Sequence, residues 1–174
     1  MQQIAFEGQT YPLRFTLCFL TRPGKVLLLR RSRPPNLGLW NGVGGHIEPG
    51  EKPLASCCRE VQEETGYPLK QLHLNGVLSW SGFEGEDCGA LVFFSAAAPP
   101  GRPHPTDHEG RLAWKCQRWA CTSKQVVDNL HTILPPIFAG QPPCGYHFEY
   151  CNGRILRQVR YPLSAEALTA LHSE

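Results

Sequence analysis

Residues 45–67 read GHIEPGEKPLASCCREVQEETGY, and this stretch decides the interpretation of the whole chain. A loop rich in glycine comes first, and a segment with helical character follows it. Pro53 lies at a favoured first-turn position, whereas Gly66 and the nearby Pro68 end the segment. One stripe of the segment suits burial, and it consists of Leu54, Cys58, Val61 and Thr65. The stretch therefore predicts a loop followed by a helix over residues 53–65.

The predicted helix also carries a patch of carboxylates. Glu60, Glu63 and Glu64 lie three and four residues apart, so their side chains share one face. Carboxylates this close repel one another, and either solvation of an acidic face or a bound cation relieves the repulsion. Arg59 and Glu51 lie nearby, and the preceding glycines allow backbone carbonyls to approach a ligand. Several hard oxygen donors favour Mg²⁺, with Mn²⁺ as a substitute, and substrate phosphates would complete the coordination.

The same residues resemble the signature of the Nudix hydrolase family, Gly-x5-Glu-x7-Arg-Glu-U-x-Glu-Glu-x-Gly-U, where U is an apolar residue. The matching positions are Gly45, Glu51, Arg59, Glu60, Val61, Glu63, Glu64 and Gly66. Tyr67 departs from the pattern, which prefers an aliphatic residue there, and this departure concerns packing more than chemistry. Further stretches resemble the MutT-like branch of the family, namely TLCFL, VLLLRR, LWNGVGGHIEPGE, DHEGRLAW and GYHFEYCNG.

The resemblance implies a fold and an activity. The expected fold is α+β, a mixed β-sheet sandwiched between helices (α/β/α), in a single domain over residues 1–174 with a core of roughly 12–162 and a tail of 163–174. MutT-like enzymes hydrolyse oxidised purine nucleoside triphosphates such as 8-oxo-dGTP to the monophosphate and pyrophosphate, by Mg²⁺-dependent attack of water at phosphorus.

Two alternatives stay open. A Nudix enzyme can instead cleave another nucleoside diphosphate derivative, such as a dinucleotide or a nucleotide sugar, or an ordinary nucleoside triphosphate. A non-catalytic binding module can also share the fold, although such a module would be expected to lack glutamates of the signature, and all of them are present here.

The resemblance also implies site residues, position by position. The expected metal ligands are the carbonyl of Gly44 and the carboxylates of Glu60, Glu63, Glu64 and Glu109. Arg59 and Glu51 are expected to orient those carboxylates. Glu109 lies five residues before Trp114 and would complete the metal shell or accept the proton of the attacking water, with an ordinary loop carboxylate as the alternative. The expected substrate contacts are Thr16, Arg31, Asn41, Gly44, Gly45, His46, Asp128 and Asn129.

Recognition of the base rests on Asp128 and Asn129, at the place where the resembling enzymes read the purine edge with an acidic pair. Asn129 replaces the second acid, and Val126 stands where a tryptophan would be expected two places earlier. Trp119 or Trp40 could supply the stacking face instead, and a core position is the alternative for each. Asp128 has an alternative too, because a short acidic side chain at the start of a helix commonly acts as its N-cap.

The rest of the chain predicts strands around the central helix. A hairpin turning at Pro23-Gly24 is expected first, and strands are expected in QLHLNGVLSW, GALVFFSAAA and RLAWKC, with GFEGEDC as a turn. Residues 123–134 suggest a helix that ends at Pro135-Pro136, and GYHFEYCNGRILRQVRY suggests two strands joined by an Asn-Gly turn. The last residues suggest a short helix or a frayed end.

Composition and net charge limit the classes of binding partner that are expected. The net charge of +2 is too small to indicate a nucleic-acid polymer or a membrane surface as partner, so a small nucleotide is expected. The eight cysteines contain no CxxC pair and are interpreted as reduced, mostly buried side chains. No signal-like pattern begins the sequence, so a cytoplasmic location is expected, and the oligomeric state stays open.

Overall fold

The computed structural model describes residues 2–83, 86–104 and 110–172. This part of the chain forms one mixed β-sheet with helices on both of its faces. The strands are β1 Gln3–Phe6, β2 Gln9–Arg22, β3 Lys25–Arg31, β4 Trp40–Asn41, β5 His73–Phe83, β6 Glu86–Ala97, β7 Gly110–Cys116, β8 Cys144–Cys151 and β9 Arg154–Pro162. The helices are α1 Pro53–Thr65, α2 Gln117–Ala120, α3 Leu130–Phe138 and α4 Ala165–His172.

The sheet runs in the order β4-β3-β2-β6-β5-β8-β9, and β1 and β7 pair additionally with β2 and β3. The pairs β2–β6 and β5–β8 are parallel, and the other pairs are antiparallel. The long strand β2 therefore connects two parts of the sheet. It pairs with β6 along Leu13–Thr21, and its last residues form the predicted hairpin with β3.

Alternate residues of the strands enter two separate cores. On β2, Cys18 and Leu20 face the layer that contains α1, while Leu17 and Phe19 face the layer that contains α3. From α1 the residues Leu54, Cys57 and Val61 fill the first core, and from α3 the residues Leu130, Ile133 and Leu134 fill the second. This two-sided burial confirms the predicted α+β architecture with a mixed sheet between helices.

The second predicted helix was wrong in its bounds. Residues 125–127 are not helical because their backbone bonds to β4: the amide of Trp40 donates to the carbonyl of Gln125, at 2.8 Å, and the amide of Val127 donates to the carbonyl of Trp40, at 3.0 Å. The helix α3 therefore begins only at Leu130. It also continues through Pro135 and Pro136, which were expected to end it. Asp128 and Asn129 thus lie just before the helix.

Four other features of the fold differ from the expectation or complete it. The turn between β5 and β6 is shorter than predicted, because β5 extends to Phe83 and β6 begins at Glu86. The strand β1 and the short helix α2 were not predicted. The C-terminal segment forms α4, and Leu171 from it is buried in the core next to α1. None of the described helices is both long and apolar enough to cross a membrane.

Candidate active site

The helix α1 holds the glutamates at one end of a large cleft. Its bounds, Pro53–Thr65, are those predicted, and it ends at Gly66, whose φ of 73° is left-handed and whose amide donates to the carbonyl of Gln62. The buried stripe fixes the rotation of the helix about its axis. Consequently Glu64 is buried at 4% exposure, Glu60 is partly buried, and Glu63 is exposed.

Arg59 is the centre of an ion-pair network behind these glutamates. Its Nε and Nη2 donate to the two carboxylate oxygens of Glu51, at 3.0 and 2.9 Å. Its Nη1 donates to Glu60 at 2.8 Å and to Glu63 at 3.1 Å. Its Nη2 also donates to the carbonyl of His46, at 3.1 Å. One guanidinium therefore ties the loop to the helix and orients two of the expected metal ligands, because its planar fork fixes several acceptors at once.

The network has clear electrostatic consequences. The hydrogen bonds from Arg59 lower the pKa of Glu51 to about 2. Glu60 behaves differently, because burial raises the pKa of its carboxyl and outweighs the opposing effect of Arg59. The two carboxylates therefore differ in the ease with which they take up a proton.

The glycine loop brings the backbone close to the glutamates. The amide of Gly44 donates to Oε2 of Glu64, at 2.8 Å. Gly44 has a φ of 143°, and a Cβ there would collide with the carbonyl of Thr16, so only glycine fits. At Gly45 a Cβ would lie 2.5 Å from Oε2 of Glu60. The loop and the helix thus form a tight cradle that side chains on the loop would block.

The donor set in this cradle fits a hard divalent cation. The candidates are the carboxylates of Glu60, Glu63 and Glu64 and the backbone carbonyl of Gly44, all of them oxygen donors. Within the described residues the carboxylates do not converge as a ready-made metal cluster, since Glu60 and Glu63 accept from Arg59 and Glu64 accepts from Gly44. Glu109, the further ligand expected from the sequence, lies outside the described residues.

The cleft has a volume of about 1480 Å³, and both the glutamates and aromatic side chains line it. It is lined by ten residues that the sequence predicted, namely Thr16, Arg31, Asn41, Gly44, Gly45, His46, Glu60, Glu63, Glu64 and Asn129. Asp128 is exposed and is adjacent to the cleft through its contact with Tyr150. Glu51 forms an ion pair with Arg59, which in turn forms ion pairs with Glu60 and Glu63.

The aromatic lining was not predicted. It consists of Phe15, Trp80, Phe83 and Tyr150. Trp40 and Trp119, the expected stacking candidates, are not among the described residues that line the cleft. Instead, the ammonium of Lys115 lies 4.1 Å from the centre of the Trp40 ring and 4.6 Å from that of Trp119. A signal for the aromatic residues was present, because alternate positions of a strand such as GYHFEYC face the same side.

Asp128 does not act as the N-cap of α3, which was the alternative to its expected role in base recognition. The N-cap position is occupied by Asn129, whose side chain makes no capping hydrogen bond. Oδ1 of Asp128 instead accepts from the backbone amide of Asn129, at 2.7 Å, and from the hydroxyl of Tyr150, at 3.4 Å. The carboxylate therefore supports the side of the cleft next to it.

Comparison with known proteins agrees with this geometry. The family model of the NUDIX domain matches residues 10–135. The chain is 34% identical over 108 residues to an uncharacterised Nudix hydrolase, YvcI, from Bacillus subtilis, a match that covers 60% of this chain and 66% of the relative. It is 32% identical over 99 residues to an oxidised purine nucleoside triphosphate hydrolase from Danio rerio, covering 57% of this chain and 63% of that relative.

The aligned part thus spans slightly less than two thirds of each of these relatives. Among solved structures, a MutT protein from Bacillus halodurans superimposes with a TM-score of 0.74 at 27% identity, and the match covers 87% of this chain and all of that one. The similarity therefore extends from the signature to the fold as a whole.

Proposed function

The chain belongs to the Nudix family, and from that premise we propose that it is a Mg²⁺-dependent pyrophosphohydrolase of nucleoside triphosphates. The proposed substrate is an oxidised purine nucleotide such as 8-oxo-dGTP, and the products are the monophosphate and pyrophosphate. The observation that carries the proposal is the composition of the cleft: the glutamates of α1 share it with an aromatic lining and an amide side chain, Asn129. The glutamates suit the metal ions that accompany a triphosphate, and the aromatic rings suit a base.

The metal site of the proposal consists of Glu60, Glu63, Glu64 and the carbonyl of Gly44, with Glu109 as a further proposed ligand or base. Bound Mg²⁺, or Mn²⁺ in its place, would neutralise the phosphate charge and make water a better nucleophile. The chain's own residues arrange the reaction. Their positions leave the carboxylates facing the cleft, where a triphosphate can approach them.

Arg59 positions Glu60 and Glu63, and the amide of Gly44 positions Glu64. In the proposed reaction a carboxylate of this cluster orients the attacking water and accepts its proton. Oxygen of the water bonds to phosphorus, and the bond from that phosphorus to the bridging oxygen breaks as pyrophosphate leaves.

The aromatic lining of the cleft supports a base of the purine type. Phe83 and Tyr150 contact each other edge to face, with ring centres 5.1 Å apart, and form part of its wall. Flat rings of this kind bind a base through its apolar faces. Thr16, Asn41 and Asn129 supply polar groups along the same cleft, and polar groups that a wrong base leaves unpaired provide discrimination.

A second candidate is a dinucleotide or another extended nucleoside diphosphate derivative. The cleft volume of about 1480 Å³ favours it, because pockets for a single small ligand usually measure roughly 300–1000 Å³. Arg33, Leu37 and Gly153 line this large space as well. A second nucleoside could occupy that space.

A product-resolved assay separates the two candidates. The protein is incubated with Mg²⁺ and, in separate reactions, 8-oxo-dGTP, dGTP, dATP, a dinucleoside tetraphosphate and a nucleotide sugar, and the products are identified by mass spectrometry. The highest kcat/KM for 8-oxo-dGTP, with monophosphate and pyrophosphate as products, supports the main proposal. Diphosphate and orthophosphate as main products would contradict it, and preference for the dinucleotide would establish the second candidate.

A further inference from the structure

Tyr150 on β8 makes an unusual pair of contacts beside the cleft. Its hydroxyl lies 3.2 Å from Nδ2 of Asn129 and 3.4 Å from Oδ1 of Asp128. The residue is buried, at 7% exposure, and burial raises the pKa of its phenol well above the ordinary value. The hydroxyl therefore stays protonated throughout the working range of pH and has one proton to donate.

The direction of these hydrogen bonds follows from the chemistry of the three groups. A carboxylate only accepts, and a bond to it is charge-assisted, so the phenolic proton points to Asp128. The phenolic oxygen then accepts from a donor, and the donor of Asn129 is Nδ2. Oδ1 of Asp128 accepts from the backbone amide of Asn129 as well, at 2.7 Å. The three side chains thus form one hydrogen-bonded relay, in which the Asn129 amide donates to the Tyr150 hydroxyl and that hydroxyl donates to the Asp128 carboxylate.

The relay determines which end of the amide is offered to a ligand. One N–H of Asn129 is used by Tyr150, and rotation of the amide by 180° would place two acceptors against each other. Oδ1 of Asn129 is consequently the amide's acceptor for the cleft, which both Asn129 and Tyr150 line. Without the hydroxyl of Tyr150, either orientation of the amide would be equally acceptable.

We propose that Tyr150 is a positioning residue for base recognition, which fixes the Asn129 amide so that its Oδ1 accepts a hydrogen bond from an N–H donor on the purine edge. The inference rests on the proposed function, since it concerns the base of the same nucleotide. It adds a residue that touches neither the phosphates nor the metal ligands. Base specificity then depends on the hydroxyl of Tyr150, which acts by orienting the Asn129 amide.

The test is the variant Tyr150→Phe, which removes one oxygen and keeps the ring that packs on Phe83. The kcat/KM values are measured for 8-oxo-dGTP, dGTP, dITP and dATP, and selectivity is the ratio between the best and the poorest substrate. The expected result is a fall of selectivity by about tenfold, the range for one lost polar discrimination, with the poorest substrate changed less than about twofold. Adding Asn129→Ala to the variant should cause little further loss, because both changes remove the same interaction.

The matched control is Tyr146→Phe, since Tyr146 is a buried tyrosine on the same face of the same strand, outside the cleft lining. It should leave selectivity unchanged. Should Tyr150→Phe fail to fold, Asp128→Ala replaces it, because Asp128 is exposed and removing its carboxylate breaks the relay from the other side. The same fall of selectivity is expected.

The outcomes separate the inference from the proposed function. If the wild type hydrolyses none of the purine triphosphates, the proposed function fails, and the inference fails with it. If the wild type is selective and Asn129→Ala reduces selectivity while Tyr150→Phe and Asp128→Ala do not, only the role of Tyr150 is overturned. A wild type that hydrolyses all four substrates equally well overturns base reading by this relay while leaving the phosphate chemistry in place.

Discussion

The ion pair between Glu51 and Arg59 should contribute measurably to stability, and Glu51→Gln tests this. The pKa of Glu51 falls from the ordinary value of 4.5 to about 2, and each unit corresponds to roughly 1.36 kcal/mol of free energy. The full shift would give about 3.4 kcal/mol. The side chains of Glu51 and Arg59 are 18% and 27% exposed, so partial screening by solvent reduces this, and we expect a loss of about 2 kcal/mol at pH 7.

The pH dependence follows from the direction of the shift. A carboxyl whose pKa is lowered by folding stabilises the folded state above the pKa of the unfolded chain, near 4.5, and this contribution disappears as the pH falls toward about 2. Thermal unfolding followed by circular dichroism, in the presence of a chelator, should therefore show Glu51→Gln melting about 4–8 °C below the wild type at pH 7. The difference should shrink steadily below pH 4.

Glu48→Gln is the control for this measurement, since Glu48 lies on the same loop and its side chain is exposed. It should melt close to the wild type at pH 7 and at pH 2.5. Equal melting of wild type and Glu51→Gln at pH 7 would refute the reasoning, and so would a difference that persists unchanged at pH 2.5, because most of the contribution of a pKa lowered from 4.5 to about 2 is lost once the unfolded chain is protonated.

Four further variants test the remaining parts of the site. Glu64→Gln should lower kcat/KM by at least about 100-fold and weaken Mg²⁺ binding measured by calorimetry, with an unchanged circular dichroism spectrum; full activity in excess chelator would contradict the metal's role. Gly45→Ala should lower kcat about tenfold at nearly constant Tm, because its Cβ displaces only the end of the Glu60 side chain, whereas Gly44→Ala should lower Tm, because its Cβ meets backbone at positive φ. Asp128→Ala should change Tm by less than about 1 °C and reduce base selectivity; unchanged selectivity would remove Asp128 from base recognition.

The part of the site that the sequence predicted well is contiguous in the chain. The apolar stripe, Pro53 and Gly66 predicted α1 with its observed bounds, and the same periodicity placed Glu60 and Glu64 toward one side. The spacing of these residues is local, so helix geometry alone relates them. The resemblance gave Arg59 and Glu51 a shared supporting role, and the structure adds the ion pair between them.

The part that the sequence predicted poorly depends on backbone pairing between distant segments. Residues 123–134 have a pattern compatible with a helix, yet the hydrogen bonds of Gln125 and Val127 with Trp40 draw that segment to the edge of the sheet. Local propensity is a weak preference that such pairing outweighs. The same pairing buries Trp40 and removes it as a stacking face, so one missed contact accounts for two of the expectations that the structure altered.

The glutamate lining and the aromatic lining of the cleft therefore come from different parts of the chain, and this difference bears on function. The glutamates and glycines of the proposed phosphate site come from one loop and one helix, and Arg59 binds Glu51, Glu60 and Glu63 through local contacts. The aromatic lining comes from β2, β5 and β8, and Asn129 comes from the segment before α3. These segments meet only in the folded sheet. A substitution at Tyr150 or Asn129 can accordingly change which base is accepted without disturbing the glutamates. The proposed phosphate chemistry and the proposed base selectivity thus depend on different segments of the chain, and the signature carries information about the first segment alone.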